Sequence, residues 1–149
     1  MNAVHDEIFI HGGSASGSYA GGSYEAFHND ELWCFSLLTR TWSLEIPAGG
    51  TRPSGRKGHT MQVVDYKLYI FGGWTLGTSY YYNNGEASNE LWVWSPTTKA
   101  WLQVLHNNGP WPSKRSGHSM AVVGSNFYIF MAKPTATVSQ PYSMNGENT

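Results

Sequence analysis

Nine consecutive residues occur twice in this chain with little change, and that repetition constrains the fold more than any local propensity does. Pro53-Ser54-Gly55-Arg56-Lys57-Gly58-His59-Thr60-Met61 returns as Pro112-Ser113-Lys114-Arg115-Ser116-Gly117-His118-Ser119-Met120, with six of nine positions identical at a shift of 59. The same shift carries Leu32-Trp33 onto Leu91-Trp92, Trp42 onto Trp101, and Tyr69-Ile70-Phe71 onto Tyr128-Ile129-Phe130. A shift of 60 carries Ile10, Gly12 and Gly13 onto Ile70, Gly72 and Gly73, so one residue of difference lies in the intervening loop. Separate blocks repeating at one spacing are not a product of chance.

Within one period the pattern predicts four short strands. Thr60 to Val64 is an apolar-rich run, Asp65-Tyr66-Lys67 turns the chain, and Leu68 to Phe71 follows, ended by Gly72-Gly73. After a long loop come Leu91 to Trp94, a turn with Pro96 at its second position, and Trp101 to Val104. No stretch keeps a helical period between caps, so helix is expected to be absent. Seven Trp, nine Tyr and seventeen Gly fit an all-β chain with many tight turns.

Four strands per repeat, Gly-Gly after the second strand and Trp in the fourth make this chain resemble the kelch β-propeller family. The carrying residues are Gly12-Gly13 and Gly72-Gly73, Leu32-Trp33 and Leu91-Trp92, Trp42 and Trp101, and the two Pro-Ser-x-Arg-x-Gly-His segments. The resemblance implies a partial kelch-type β-propeller: four-stranded antiparallel blades, about 50 residues each, arranged in an open arc. It makes Gly12, Gly13, Trp33, Trp42, Arg56, His59, Gly72, Gly73, Trp92, Trp101, Arg115 and His118 repeat residues, serving blade packing or ties between blades. The tryptophans are expected to be largely buried, each covering on the order of 200 Å².

The expected organisation is a blade over 1–60 lacking its lead-in, a complete blade over 61–119, and the first hairpin of a third over 120–132. Met131-Ala132 stands where Gly-Gly is expected, and 133–149 reads as a non-kelch, polar, disordered tail. Propellers close with four to eight blades. The chain therefore reads as a fragment, an incomplete gene product or a shortened isoform of a longer kelch protein. Its uncovered blade faces are candidates for self-association.

Composition narrows the function. Nine Lys and Arg against ten Asp and Glu, with 13% charged residues in all, provide no concentrated basic face for nucleic acid. No apolar run reaches membrane-spanning length and the N-terminus lacks a secretory pattern, so no membrane and a cytoplasmic setting are expected. The single Cys34 excludes an internal disulfide and a CxxC zinc site. Some kelch propellers resemble a copper oxidase with a tyrosine cross-linked to cysteine near two histidines. Cys34 aligns with Val93 in mid-strand, though, and reads as a packed core thiol. No P-loop or nucleophile elbow is present; no catalytic residue, cofactor or metal is expected, and the chain is not expected to be an enzyme.

The loops between strands two and three, Ser14 to Asn29 and Trp74 to Ser88, are rich in Tyr, Ser, Gly and Asn, as adaptable binding surfaces are. In kelch propellers these loops share a face with the connections from strand four to the next blade. That resemblance gathers Trp74, Tyr80, Tyr81, Tyr82, Trp111, Lys114 and Arg115 as candidate contacts for another protein. The expected function is a non-catalytic protein–protein interaction module of adaptor or scaffold type. A fragment of a propeller enzyme, or a truncated product without stable function, is the alternative.

Overall fold

The computed structural model describes residues 2–4, 6–18, 24–76, 85–107, 109–130 and 142–143. The first blade contains β1 (Asn2–Val4), β2 (Glu7–His11), β3 (Ser14–Ser18), β4 (Tyr24–His28), β5 (Leu32–Ser36) and β6 (Thr41–Glu45). The second follows with β7 (Arg56–Lys57), β8 (Thr60–Val64), β9 (Lys67–Phe71), β10 (Trp74–Thr75), β11 (Glu86–Ala87), β12 (Leu91–Ser95) and β13 (Ala100–Val104). A third has β14 (Ser119–Val123), β15 (Asn126–Phe130) and β16 (Tyr142–Ser143). The first two are antiparallel sheets of four strands, β1-β2-β5-β6 and β8-β9-β12-β13. No helix is present among the described residues.

The strands form where the sequence puts them because alternate residues face opposite neighbours. Leu68 and Ile70 join Trp92, Trp94, Trp101 and Met61 against Phe9, Leu32 and Cys34 of blade 1. The intervening Phe71, with Leu91, faces Met120, Phe127 and Ile129 of blade 3. Blade 2 is thus covered on both sides, and its strand Leu91-Trp92-Val93-Trp94 is buried at every position. Hairpin chemistry closes the sheets. Asp65 and Tyr66 both take positive φ, +46° and +61°, in the two-residue turn between β8 and β9.

Two tryptophans depart from the expectation of burial. Trp33 is 36% exposed and Trp42 51%, whereas their equivalents Trp92 and Trp101 are 5% and 7%. The local packing is conserved in form: Trp42 lies 4.9 Å from Phe35, as Trp101 lies 5.3 Å from Trp94. The difference is the neighbour. Trp101 looks onto blade 1, but the flank carrying Trp33, Trp42 and Leu44 meets no blade among the described residues.

The structure also adds strands where loops or a tail were read. The strand 2–3 loops contain β3–β4, and β10–β11, the latter joined by β7. Short polar or Gly-containing runs carry no apolar alternation, so periodicity does not reveal them. In the third blade, Tyr142 and Ser143 pair with Ile129 and Tyr128, the place that β12 takes on β9. These two residues correct the reading of 133–149 as tail. Their segment lacks both Gly-Gly and Leu-Trp, leaving nothing for the repeat to register.

Gly72 shows why glycine stands after the second strand. Its φ is +65°, and a Cβ there would lie 2.7 Å from Arg115 O and 2.9 Å from His118 Cε1. Gly124 has a similar φ of +60° with nothing within 4 Å. Gly124→Ala is therefore expected to cost about 1 kcal/mol from backbone strain alone. Gly72→Ala adds a clash with backbone and is expected to cost roughly 3 kcal/mol. Denaturant melts of the two variants separate the effects; equal midpoints would show that the close approach carries no energy.

Candidate interaction face

The repeated lead-in segments act at the seams between blades. Each reaches back to the preceding Gly-Gly: Gly13 N–H donates to Arg56 O and Gly73 N–H to Arg115 O, both at 2.9 Å. In return Arg56 N–H donates to Asn29 O (3.3 Å) and Arg115 N–H to Ser88 O (2.9 Å). Successive segments also bond one another, through Gly117 N–H to Gly58 O at 2.7 Å and Thr60 Oγ1 to His118 Nε2 at 2.7 Å. Gln62 Nε2 donates to Met120 O at 2.7 Å. The inner strands of neighbouring blades are tied along the arc in this way.

The Arg56 side chain completes the tie. It is fully buried, donating from Nη1 to Gly72 O (2.9 Å), from Nε to Ser54 O (3.0 Å) and from Nη2 to Glu90 Oε2 (2.6 Å). Burial raises the Glu90 pKa, but the guanidinium and the Trp92 indole N–H outweigh it and hold the carboxyl below its ordinary range. Arg115 repeats the contact to its own lead-in, Nε to Ser113 O at 3.0 Å. At 4% exposure it belongs to the seam. Its reading as a surface contact is corrected: the arginine that recurs with the repeat points into the blade.

Three histidines lie at these seams. His59 and His118 follow the lead-in arginines, and His11 takes the place that Phe71 has in the next blade. The substitution keeps the ring geometry: His11–His59 centroids are 5.2 Å apart and Phe71–His118 5.5 Å, both pairs at 82°. His11 also meets Trp101 at 5.4 Å. Burial, then neighbouring His59 and Arg56, lowers the His11 pKa to about 3. Burial with Arg56 lowers His59 to about 4, and burial with Arg115 lowers His118 to about 4. They are neutral at pH 7. Among the described residues no group of three or more His, Cys, Asp and Glu is placed to hold a metal ion. Cys34 is buried in the first seam, its thiol pushed up to about 11 by burial with Glu7 and Glu45 nearby.

The strand 2–3 loops and strand 4–1 connections meet at one end of the blades. Lys57 pairs with Trp74, which pairs in turn with Ala87. Lys114 Nζ lies 2.6 Å from Glu86 Oε2, and Trp111 Nε1 donates to Asn89 O at 2.8 Å. Trp74 is 38% exposed, and Lys114 is exposed beside its partner carboxylate. Trp111 is half-buried, packed on the second seam and stacked 5.3 Å from His106, so it supports the face more than it projects from it. Tyr80, Tyr81 and Tyr82 lie outside the described residues.

Further round the same rim, a cavity of about 270 Å³ is lined by Asp30, Glu31, Glu45, Arg52, Leu44 and Trp101, among others. Arg52 pairs with Asp30 at 2.9 Å, and Lys99 of blade 2 reaches Glu45 of blade 1 at 3.3 Å. Glu31 and Glu90 escaped the sequence reading. Their signal was present, since Glu-Leu-Trp repeats at the same shift of 59.

Comparisons with known proteins agree with this architecture. A family model described as the KLHDC2/KLHL20/DRC7 Kelch-repeats domain matches residues 1–143. Kelch domain-containing protein 1 of Mus musculus is 33% identical over 105 residues, covering 70% of this chain and 24% of its own length. Protein tag-53 of Caenorhabditis elegans is 30% identical over 130 residues, 85% of this chain and 9% of that protein. The chain thus spans no more than about a quarter of either relative's length. The solved structure of YjhT shares the fold, with a TM-score of 0.60 at 19% identity over 85% of this chain and 31% of its own. With its lead-in segments, Gly-Gly turns and seam tryptophans repeated blade by blade, the chain belongs to the kelch-repeat family.

Proposed function

We propose that this chain is a non-catalytic protein-interaction module of adaptor or scaffold type, receiving a partner protein on the loop end of its blades. The observation that carries the reading is the meeting of β10–β11 with the lead-in strand β7, which presents Trp74 and Lys57 beside the Lys114–Glu86 pair. An exposed tryptophan is the residue type of interface anchors, and paired charges beside it suit the polar rim around one. A cytoplasmic setting belongs to the same reading. So does self-association through the uncovered flanks, where Trp42 and Leu44 of blade 1 and Phe130 of blade 3 are exposed.

A photo-crosslinking amino acid placed in turn at positions 74, 42 and 67 tests these surfaces in cells. Position 74 is expected to yield an adduct with a second protein and position 42 an adduct of twice the chain mass. Lys67, exposed at the start of β9, serves as the reference and is expected to yield neither. Equal adducts at positions 74 and 67 would remove the loop end from consideration.

A further inference from the structure

The cavity of about 270 Å³ at the first seam is bounded by two blades of this chain. Blade 1 lines it with Leu32, Ile46 and Pro47, and blade 2 with Trp101. Asp30, paired with Arg52 at 2.9 Å, adds a polar wall. Two ties span the seam beside it: Lys99 Nζ to Glu45 Oε2 at 3.3 Å, and Ala48 N–H to Lys99 O at 2.6 Å. The volume lies just below the ~300–1,000 Å³ of small-molecule pockets, so the cavity is sized for one side chain rather than a cofactor.

The second seam shows what such a place can hold. The repeat shift of 59 carries Asp30, Leu32, Pro47 and Arg52 onto Asn89, Leu91, His106 and Trp111. There the Trp111 indole packs against the cluster containing Leu91 and Phe71, lies 5.3 Å from the His106 ring and donates from Nε1 to Asn89 O at 2.8 Å. In the first seam the residue in register is Arg52, whose side chain is 49% exposed and turned to the Asp30 carboxylate. Both bounding blades are in place, so the opening follows from the exchange of tryptophan for arginine at this position.

We propose that the cavity receives the tryptophan side chain of a partner polypeptide, whose indole N–H donates to the Asp30 carbonyl oxygen, the counterpart of Asn89 O. Leu32, Ile46, Pro47 and Trp101 supply apolar and aromatic contact for the ring. The Asp30 and Glu45 carboxylates are each held by a cation, Arg52 and Lys99, so a neutral ring suits the space between them. The site uses neither Trp74 nor the Lys114–Glu86 pair, and it stands independently of the loop-end reading.

The test uses the whole chain and a blocked Pro-Trp-Pro peptide, the sequence around Trp111, followed by NMR at the methyl groups of Leu32 and Ile46. Saturable shifts of both residues are expected. A blocked Pro-Phe-Pro peptide, with a smaller ring and no N–H, should bind about fivefold or more weakly. Arg52→Trp puts the chain's own ring in register, and the tethered ring should weaken peptide binding about tenfold or more. The Arg52 side chain is half exposed, so the variant is expected to keep the parent spectrum away from the seam, and that spectrum verifies its fold. Lys67→Ala, at the start of β9, should bind as the parent chain does. Absence of saturation at millimolar peptide, equal affinity for the two peptides, or undiminished binding by Arg52→Trp would overturn the proposal. Tighter binding of free tryptophan than of the blocked peptide would also overturn it, by assigning the cavity to a small molecule.

Discussion

Trp101→Ala is expected to destabilise the chain by roughly 3–5 kcal/mol, while Trp42→Ala, at the equivalent position one blade earlier, is expected to cost about 1 kcal/mol. Trp101 is 7% exposed and fills the first seam together with Trp94, Ile70, Phe9 and Leu32. Removing it leaves a cavity bounded by two sheets, which cannot collapse without moving a blade. Trp42 keeps its contact with Phe35 but is half in water, so its truncation removes little buried area. For a chain of this size the first change should lower the melting midpoint by about 10 °C and the second by only a few degrees. Equal midpoints for the two variants would mean that the seam between blades 1 and 2 does not form in solution.

Acidification is expected to unfold the chain well before its carboxylates titrate. His11 and His59 have folded pKa values of about 3 and about 4 against an ordinary 6.5, because burial and neighbouring cations oppose their charging. The sign follows directly. Below pH 6.5 the unfolded chain binds protons that the folded chain does not, so stability is complete above that value and falls as the pH drops towards 4. Each of these two groups contributes up to about 1.4 kcal/mol per pH unit in that window. Between pH 7 and 5 they should remove roughly 3–4 kcal/mol together. His118, hydrogen-bonded to Thr60, shifts in the same direction. Glu90 has a lowered pKa, and its contribution is lost only below the carboxylate range, near pH 4.5. Urea midpoints measured at pH 7, 6 and 5 check the prediction, and His11→Phe should flatten the dependence while keeping the ring packing that Phe71 shows. Midpoints constant from pH 7 to 5 would place these imidazoles in water.

Strand positions and the seam assignments were legible because two signals coincide in them: a short apolar or aromatic run bounded by turn residues, and recurrence at one shift. Leu68-Tyr69-Ile70-Phe71 and Leu91-Trp92-Val93-Trp94 carry both. What recurrence does not convey is the neighbourhood of each copy. It treats Trp42 like Trp101, yet burial depends on whether another sheet stands opposite, and that is a property of the arc. Arg115 is the opposite case: its place in a connection groups it with surface contacts, whereas recurrence groups it with the repeat residues, and it is 4% exposed. Its repeat partner Arg56 already implied a buried role. The hairpins β3–β4 and β10–β11 were illegible for another reason: backbone pairing holds them, and backbone pairing leaves little mark on side-chain composition.

The ties at the seams also determine how the chain can change without losing its fold. The hydrogen bonds and ion pairs that join one sheet to the next connect residues within about one repeat length: Arg56 with Gly13, Thr60 with His118, Lys99 with Glu45. Wiring of this kind is nearest-neighbour, so altering one blade perturbs only the two seams that flank it. The described strands of the strand 2–3 loops, such as Ser14–Ser18 and Glu86–Ala87, lie at the end of the sheets, outside the apolar clusters at the seams. Selection can therefore rewrite them freely, in length and in chemistry, while the glycine, arginine and histidine ties remain fixed. A chain built like this keeps its structural vocabulary constant and confines its variation to the surface it shows to others.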